Sequence, residues 1–516
     1  MGFLSLKFIL FISITFFMYF VVPKRYQWLV LLAFSCVYYY LNSGSLLIIL
    51  IGESIFTFII GRILFSINKK IKNSDDKLIK QQLKNRNRWV LLLGVVVILG
   101  VLIVIKYSNF IIDIINHIIS GNIRFVDFIL PLGISFYTLQ AISYLVDIYR
   151  NKIEACDNIL HFLLYMVYFP QIIQGPIPRY NRLFKQLVTS HDYDYDRVTK
   201  GLQLMLYGIG KKVIIADRIA IAVNHLFENY NDYHGIYILF GAICYSVQIY
   251  ADFSGGIDAI RGISEVFGIE LDQNFRQPYF SKSIEEFWRR WHISLGSFMK
   301  DYVFYPLSLS KGINKISKSA RKHFGNYFGK RIGSCIAMFI VYLLVGLWHG
   351  ADWKYVVYGL WNALFIMNGI MFEDFNKRLL NLFKIKDDNK LFNIFRMIRT
   401  FLICSVGRIF SRAGNLSVAL VMFKSLFIRL FDFKIDQELL ISLGLDYKNW
   451  ILLIVMFAIV IFIDYLKEKQ IDVRESIASK PIIFRWVIYY ILIISILLFG
   501  LYGGGYDAST FIYGRF

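Results

Sequence analysis

A succession of long apolar runs decides the solvent in which this chain folds. The runs lie near residues 3–22, 27–41, 45–61, 89–115, 126–148, 158–174, 201–226, 236–251, 332–348, 355–372, 397–411, 450–465 and 485–503. A helix needs about 20 apolar residues to cross a bilayer's hydrocarbon core. No water is present there to satisfy peptide groups, so a spanning segment must be a helix or part of a closed barrel. The runs predict an all-α, polytopic membrane bundle of about 11–13 transmembrane or re-entrant helices. Several are short enough to be tilted, re-entrant or buried. Composition agrees: 57% of residues are hydrophobic and 18% charged, where a soluble domain has about a quarter charged. Length alone would give about three domains. A helical membrane bundle is one unit, so the expected organisation is a membrane domain over residues 1–502 and a short tail, 503–516, after the joint Gly503-Gly504-Gly505.

The formal net charge of +21 invites a nucleic-acid reading. The placement of the charge argues against one, because the basic residues fall between apolar runs, as the positive-inside rule requires. Residues 68–88 carry eight Lys/Arg, and residues 311–331 carry seven with no Asp or Glu. Together with 467–485 they read as cytoplasmic loops. The last helix then runs outward, and the tail is extracytoplasmic. The first run has no short basic region and no small-residue cleavage site, so it reads as a retained helix. The five cysteines are isolated, which indicates neither a zinc site nor a disulfide framework. No metal site is expected.

Two histidines carry the chemistry. His292 lies in Trp288-Arg289-Arg290-Trp291-His292-Ile293-Ser294-Leu295 and His349 in Gly346-Leu347-Trp348-His349-Gly350-Ala351-Asp352-Trp353. Ser283 and Glu286 form a capping box. Ile284, Phe287, Trp288, Trp291, Leu295, Phe298 and Met299 then follow at helical spacing, predicting an amphipathic helix with His292 on its apolar face. His349 closes the run that ends at Trp348. An imidazole at membrane depth is costly unless paired or facing a wet cavity. Two of them predict proton transfer in a membrane-embedded site, with His349 as a general base near neutral pH. His292 either orients His349, binds an acyl carbonyl or packs against Trp288. No Gly-rich phosphate loop, HExxH or GxSxG is present, so a covalent serine mechanism lacks support.

WRRWHISL, DYVFYPL and GLWHGADW, in this order, resemble the membrane-bound O-acyltransferase family. The resemblance is nearest its alginate O-acetyltransferase (AlgI-like) branch, and more distant to the teichoic-acid D-alanylation protein DltB. It extends through Tyr168-Phe169-Pro170-Gln171, Tyr250-Ala251-Asp252-Phe253-Ser254-Gly255 and Asn274-Phe275-Arg276-Gln277-Pro278-Tyr279. It implies a bundle around a central funnel or tunnel, with His349 and His292 as the catalytic pair. Trp288, Trp291, Trp348, Asp301 and Gln174 are candidates to line that tunnel, although ion pairing explains Asp301 and a plain loop explains Gln174 equally well. The implied activity is transfer of an acyl group, acetyl by preference, from cytoplasmic acetyl-CoA towards a cell-surface polysaccharide. The implied partners are membrane lipids and an SGNH/AlgJ/AlgX- or DltD-type extracytoplasmic acyltransferase. The ending Phe511-Ile512-Tyr513-Gly514-Arg515-Phe516 is similar to the family's FIYxxF-like tails, which implies Tyr513 as a transient acyl carrier; a hydrophobic latch is the alternative. Two other functions stay open: D-alanyl transfer to teichoic acid, and a transporter or flippase without chemistry. The absence of two related halves with paired broken helices speaks against the transporter.

Overall fold

The expected helical spacing is realised almost throughout. The computed structural model describes residues 5–429 and 437–502. Among these the chain is helical, and the extended backbone pairing is a single antiparallel bridge, Phe275–Trp291. Tyr513 and the rest of the proposed tail lie outside the described residues. Among the described residues, six stretches are long and apolar enough to cross a membrane: Lys24–Asn73, Lys77–Ile119, Ile236–Val266, Lys311–His349, Tyr447–Glu468 and Ile482–Phe499. A seventh is formed if Trp353–Met371 and Glu373–Leu382, bent by 62° to each other, make one broken span. The outward faces stay apolar, as lipid requires: Ile483, Leu497 and Leu498 are exposed on the last helix. The protein is a multi-pass membrane protein.

The described residues form two compact units. The first comprises the chain up to Met205 together with Ile257–Asp272. Its framework is α1 (Leu6–Val21), α2 (Gln27–Ser43), α3 (Leu47–Asn73), α4 (Lys77–Leu102) and α5 (Ile134–Tyr149). The basic stretch 68–88 is mostly helix rather than loop. Residues 74–76 make the turn, and the buried Asn87 amide donates to Asn68 across it at 2.7 Å. The run 158–174 is likewise two helices, α6 (Ile159–Val167) and α7 (Phe169–Gln174): the chain turns at Tyr168, and Pro170 sits in the first turn of α7, where its missing N–H costs no helical hydrogen bond. Gln174 ends α7 and is buried.

The second unit comprises Leu206–Gly256 and the chain from Gln273. Here α8 (Ile236–Val266) runs beyond the expected end at 251. Asp252, just past that expected end, is therefore a mid-helix residue. Its carboxylate accepts from Lys212 Nζ at 2.6 Å, and Asp217 lies 2.8 Å from the same nitrogen. All three residues are buried. Such charges persist away from water only when paired in this way.

The predicted amphipathic helix around His292 is broken. Ser283 caps it as expected, its Oγ accepting from Glu286 N at 3.1 Å, while Glu286 reaches back to Lys282 N at 2.8 Å. α9 (Ile284–Arg290) then stops, Trp291 is extended, His292 takes a left-handed φ of 49°, and α10 (Ile293–Phe298) begins. The basic stretch 311–331 is also helix. α11 (Lys311–His349) breaks at Gly325, whose φ of 77° a side chain rarely adopts. Gly329 abuts Arg321 and Gly333 abuts Ser317, so the basic arm folds back along the start of the apolar arm. α12 (Trp353–Met371), α13 (Lys390–Arg412), α14 (Tyr447–Glu468) and α15 (Ile482–Phe499) complete the unit.

Candidate active site

α11 and α12 meet where the two backbones are bare. A Cβ on Gly346 would strike the Tyr355 carbonyl, and one on Gly359 the Tyr342 carbonyl; the Gly346 and Gly359 backbones face each other. Lipid gives helices no hydrophobic drive to associate, so close approach through small residues supplies the contact energy. The same motif supplies the turn. Gly350 ends α11 against the Tyr355 ring, and Asp352 caps α12 by accepting from Lys354 N at 2.9 Å. GLWHGADW is thus the sequence of a tight helical corner, and His349 is the last residue of its first arm. Its imidazole is buried among the rings of Trp348 (5.2 Å), Tyr358 (5.7 Å) and Tyr355 (6.5 Å).

His292 reaches the same place from the α9–α10 break. Its ring centre lies 5.5 Å from that of Trp348 and 4.9 Å from that of Phe253, and the residue is 1% exposed. Asn274 builds the break. Its carbonyl accepts from Ile293 N at 3.0 Å and its side-chain oxygen from Ser294 N at 2.9 Å. The same oxygen lies 3.4 Å from His292 Nδ1. A carboxamide oxygen only accepts, so this contact selects the tautomer with hydrogen on Nδ1 and leaves Nε2 as the basic nitrogen. Burial, with His349 close by, holds the His292 imidazole well below its ordinary value, so it is neutral near pH 7.

The structure brings Trp288, Trp291 and Trp348 to the two histidines, in different roles. Trp288 lines a cavity of about 260 Å³ together with His292, Leu295, Met299, Tyr342 and Val345. Its indole donates to Asn362 Oδ1 at 3.0 Å. Trp291 turns the other way and packs against Phe275 at 5.0 Å and Phe287 at 5.5 Å, supporting the break without lining the cavity. Trp348 bridges the two imidazoles. Asp301 lies half-buried just beyond α10, outside the cavity's lining, and Gln174 belongs to the first unit. Arg276 is exposed, its backbone N–H donating to the Arg290 carbonyl at 2.9 Å.

Sequence reasoning gave no role to Asn274, Asn362 or Arg408. Asn274 stands inside the NFRQPY motif, but its partner is 18 residues away. Arg408 left a clearer signal, as a cation deep inside the apolar run 397–411, eight apolar or small residues beyond Arg399 at its start.

Comparison with known proteins decides the family. The model of the membrane-bound O-acyltransferase family matches residues 157–321, a stretch that contains His292. The probable alginate O-acetylase AlgI of Pseudomonas aeruginosa is 33% identical over 422 residues, covering 81% of this chain and 73% of that protein. The chain belongs to the membrane-bound O-acyltransferase family. It is an acyltransferase, as the resemblance implied, and not a transporter without chemistry. Within the family it is also similar to the peptidoglycan O-acetyltransferase of Helicobacter pylori, at 29% identity over 66% of this chain and 64% of that one. The teichoic acid D-alanyltransferase of Bacillus subtilis is 30% identical over 54% of this chain and 68% of its own.

Proposed function

We propose that the protein transfers an acetyl group from a thioester donor, acetyl-CoA, for O-acetylation of a cell-surface polysaccharide. One observation carries the reading. The buried imidazole of His292 lines a cavity whose lining also includes the exposed Arg289 and Lys300. Arg289 is committed to Glu285 at 3.0 Å, whereas Lys300 makes no ion pair among the described residues. An apolar slot with a cation at its mouth suits a pantetheine thioester with a phosphate at its far end. In the proposed chemistry, His349 takes the proton of an acceptor hydroxyl. The oxygen attacks the thioester carbonyl, the C–S bond breaks, and the thiolate leaves with a proton returned by the imidazolium. His292 polarises the carbonyl or orients His349.

Transfer outward needs a relay, and the phenol of Tyr513 is the proposed one, with an SGNH-type partner completing delivery. The basic stretches 68–88, 311–331 and 467–485 then face the cytoplasm and the tail faces outward, consistent with the positive-inside rule. Tyr513→Phe keeps the ring and removes the acceptor oxygen. Acylation of the polysaccharide is expected to stop while hydrolysis of the donor continues; normal acylation leaves the tail as a latch only.

The donor test uses the purified protein with radiolabelled acetyl-CoA. Lys300→Ala is expected to raise the donor KM about tenfold, equivalent to about 1.4 kcal/mol, with kcat little changed. An unchanged KM removes Lys300 from the donor site. Transfer of D-alanyl from a carrier protein, with acetyl-CoA inert, replaces acetylation with D-alanylation.

A further inference from the structure

Arg408 has no role in the chemistry above, yet its position is costly. It is 2% exposed on α13 in a membrane protein, and a guanidinium stays charged in proteins. Its neighbours are rings rather than a carboxylate. The guanidinium carbon lies 4.6 Å from the centre of Trp291, 5.5 Å from Phe287 and 5.6 Å from Tyr279. Nη1 donates to the Tyr279 hydroxyl at 2.9 Å, and that hydroxyl donates to the Ser246 carbonyl on α8. Nη2 has no hydrogen-bond partner among the described residues. A buried cation is retained only where something offsets its desolvation, and three ring faces around one guanidinium do so.

Those rings hold the break in the chain. Trp291 is the extended residue that bridges to Phe275, and the next residue is His292 in its left-handed conformation. A non-glycine residue stays at positive φ only if its surroundings over-determine it. Asn274 fixes the backbone on the far side of His292, through Ile293 and Ser294. On the near side the fixed point is the Trp291 ring, clamped between Phe275, Phe287 and the guanidinium.

We propose that Arg408 is a positioning residue for the histidine pair: its guanidinium pins Trp291, and through Trp291 sets the direction of the His292 imidazole towards the cavity. The proposal rests on the acyltransferase reading of that pair. Arg408 touches neither imidazole in this arrangement and acts through the rings. The planar cation is the requirement, and Lys meets it in part, since an ammonium also binds ring faces but lacks the fork that reaches Tyr279.

The test compares Arg408→Met and Arg408→Lys in the purified full-length protein, with rates normalised to folded enzyme. Arg408→Met is expected to lower kcat about 10- to 100-fold, the scale of a small misplacement of a reacting group, with the donor KM nearly unchanged. Arg408→Lys is expected to recover most of that loss. A second readout needs no substrate: diethyl pyrocarbonate modification of the His292 peptide, followed by mass spectrometry, is expected to be several-fold faster in Arg408→Met. Wild-type kcat in Arg408→Met, a loss confined to KM, or unchanged His292 modification each overturns the proposal. If wild-type protein transfers no acyl group, the functional reading fails, and the modification arm still decides the positioning claim.

Discussion

His349→Ala lowers acyl transfer about 10²- to 10⁴-fold, the range typical for loss of a general base, while the protein still folds and inserts. The structure makes the experiment clean. His349 is the terminal residue of α11, and the corner behind it is held by Gly346, Gly359 and the Asp352 cap rather than by the imidazole. His292 requires more care, because alanine at φ 49° adds backbone strain to the loss of the ring. Asparagine tolerates that region, so His292→Asn isolates the side chain. Its expected loss is substantial but smaller than that of His349→Ala. The double variant is expected to lose little more than His349→Ala alone, because groups acting on one step are not additive. Initial rates of acyl release and transfer measure all three. A wild-type rate in His349→Ala removes the base assignment, and an equal or larger loss at His292 exchanges the two roles.

What the sequence made legible follows the range of the forces involved. Apolar runs, the Ser283–Glu286 box and the histidine at the end of α11 are local patterns; most of the runs are helical, and the box and the histidine are found where expected. The break at His292 is not local. The residues from Ile284 to Met299 keep helical spacing throughout, but Asn274 and Phe275 capture the backbone at Trp291–Ser294 and outcompete the helix there. The same holds for Asp252. Alone it marks the end of the apolar run at 251, and only Lys212, 40 residues earlier, gives it a mid-helix reason. The stretch 311–331 departs from expectation for a different reason. Its charge suggests a loop, yet Lys and Arg are good helix formers and the stretch is helical up to and beyond a single break at Gly325. The Arg408 charge was visible in an apolar run, but its partners are aromatic residues of three other segments. Aromatic residues are common in this chain, and although Trp291 stands out in its motif, no local pattern marks it, Phe287 or Tyr279 as a partner of Arg408.

The largest effect on stability is expected at Gly346. In an exposed helix, Gly→Ala is favourable by up to about 1 kcal/mol, because alanine loses less backbone entropy. Gly346→Ala reverses that sign. Its Cβ would enter the Tyr355 carbonyl oxygen, and backbone on α12, unlike a flexible side chain, cannot swing away. The two helices must separate, which loses the packing that replaces hydrophobic drive in lipid. A cost of about 1–3 kcal/mol is expected for alanine, and more for leucine. Gly369→Ala on the same α12 is the control. Nothing lies within 4 Å of a Cβ there, so it is expected to be neutral or slightly stabilising. Thermal unfolding in detergent measures both, and equal midpoints for the two variants would show that close approach of α11 and α12 is not what holds the corner. Activity should report the same displacement. His349 is three residues beyond Gly346 on α11, and its ring packs on Tyr355 and Tyr358 of α12. Separating the helices therefore moves the imidazole relative to the rings that set its direction, and the folded fraction of Gly346→Ala is expected to lose kcat as well as stability.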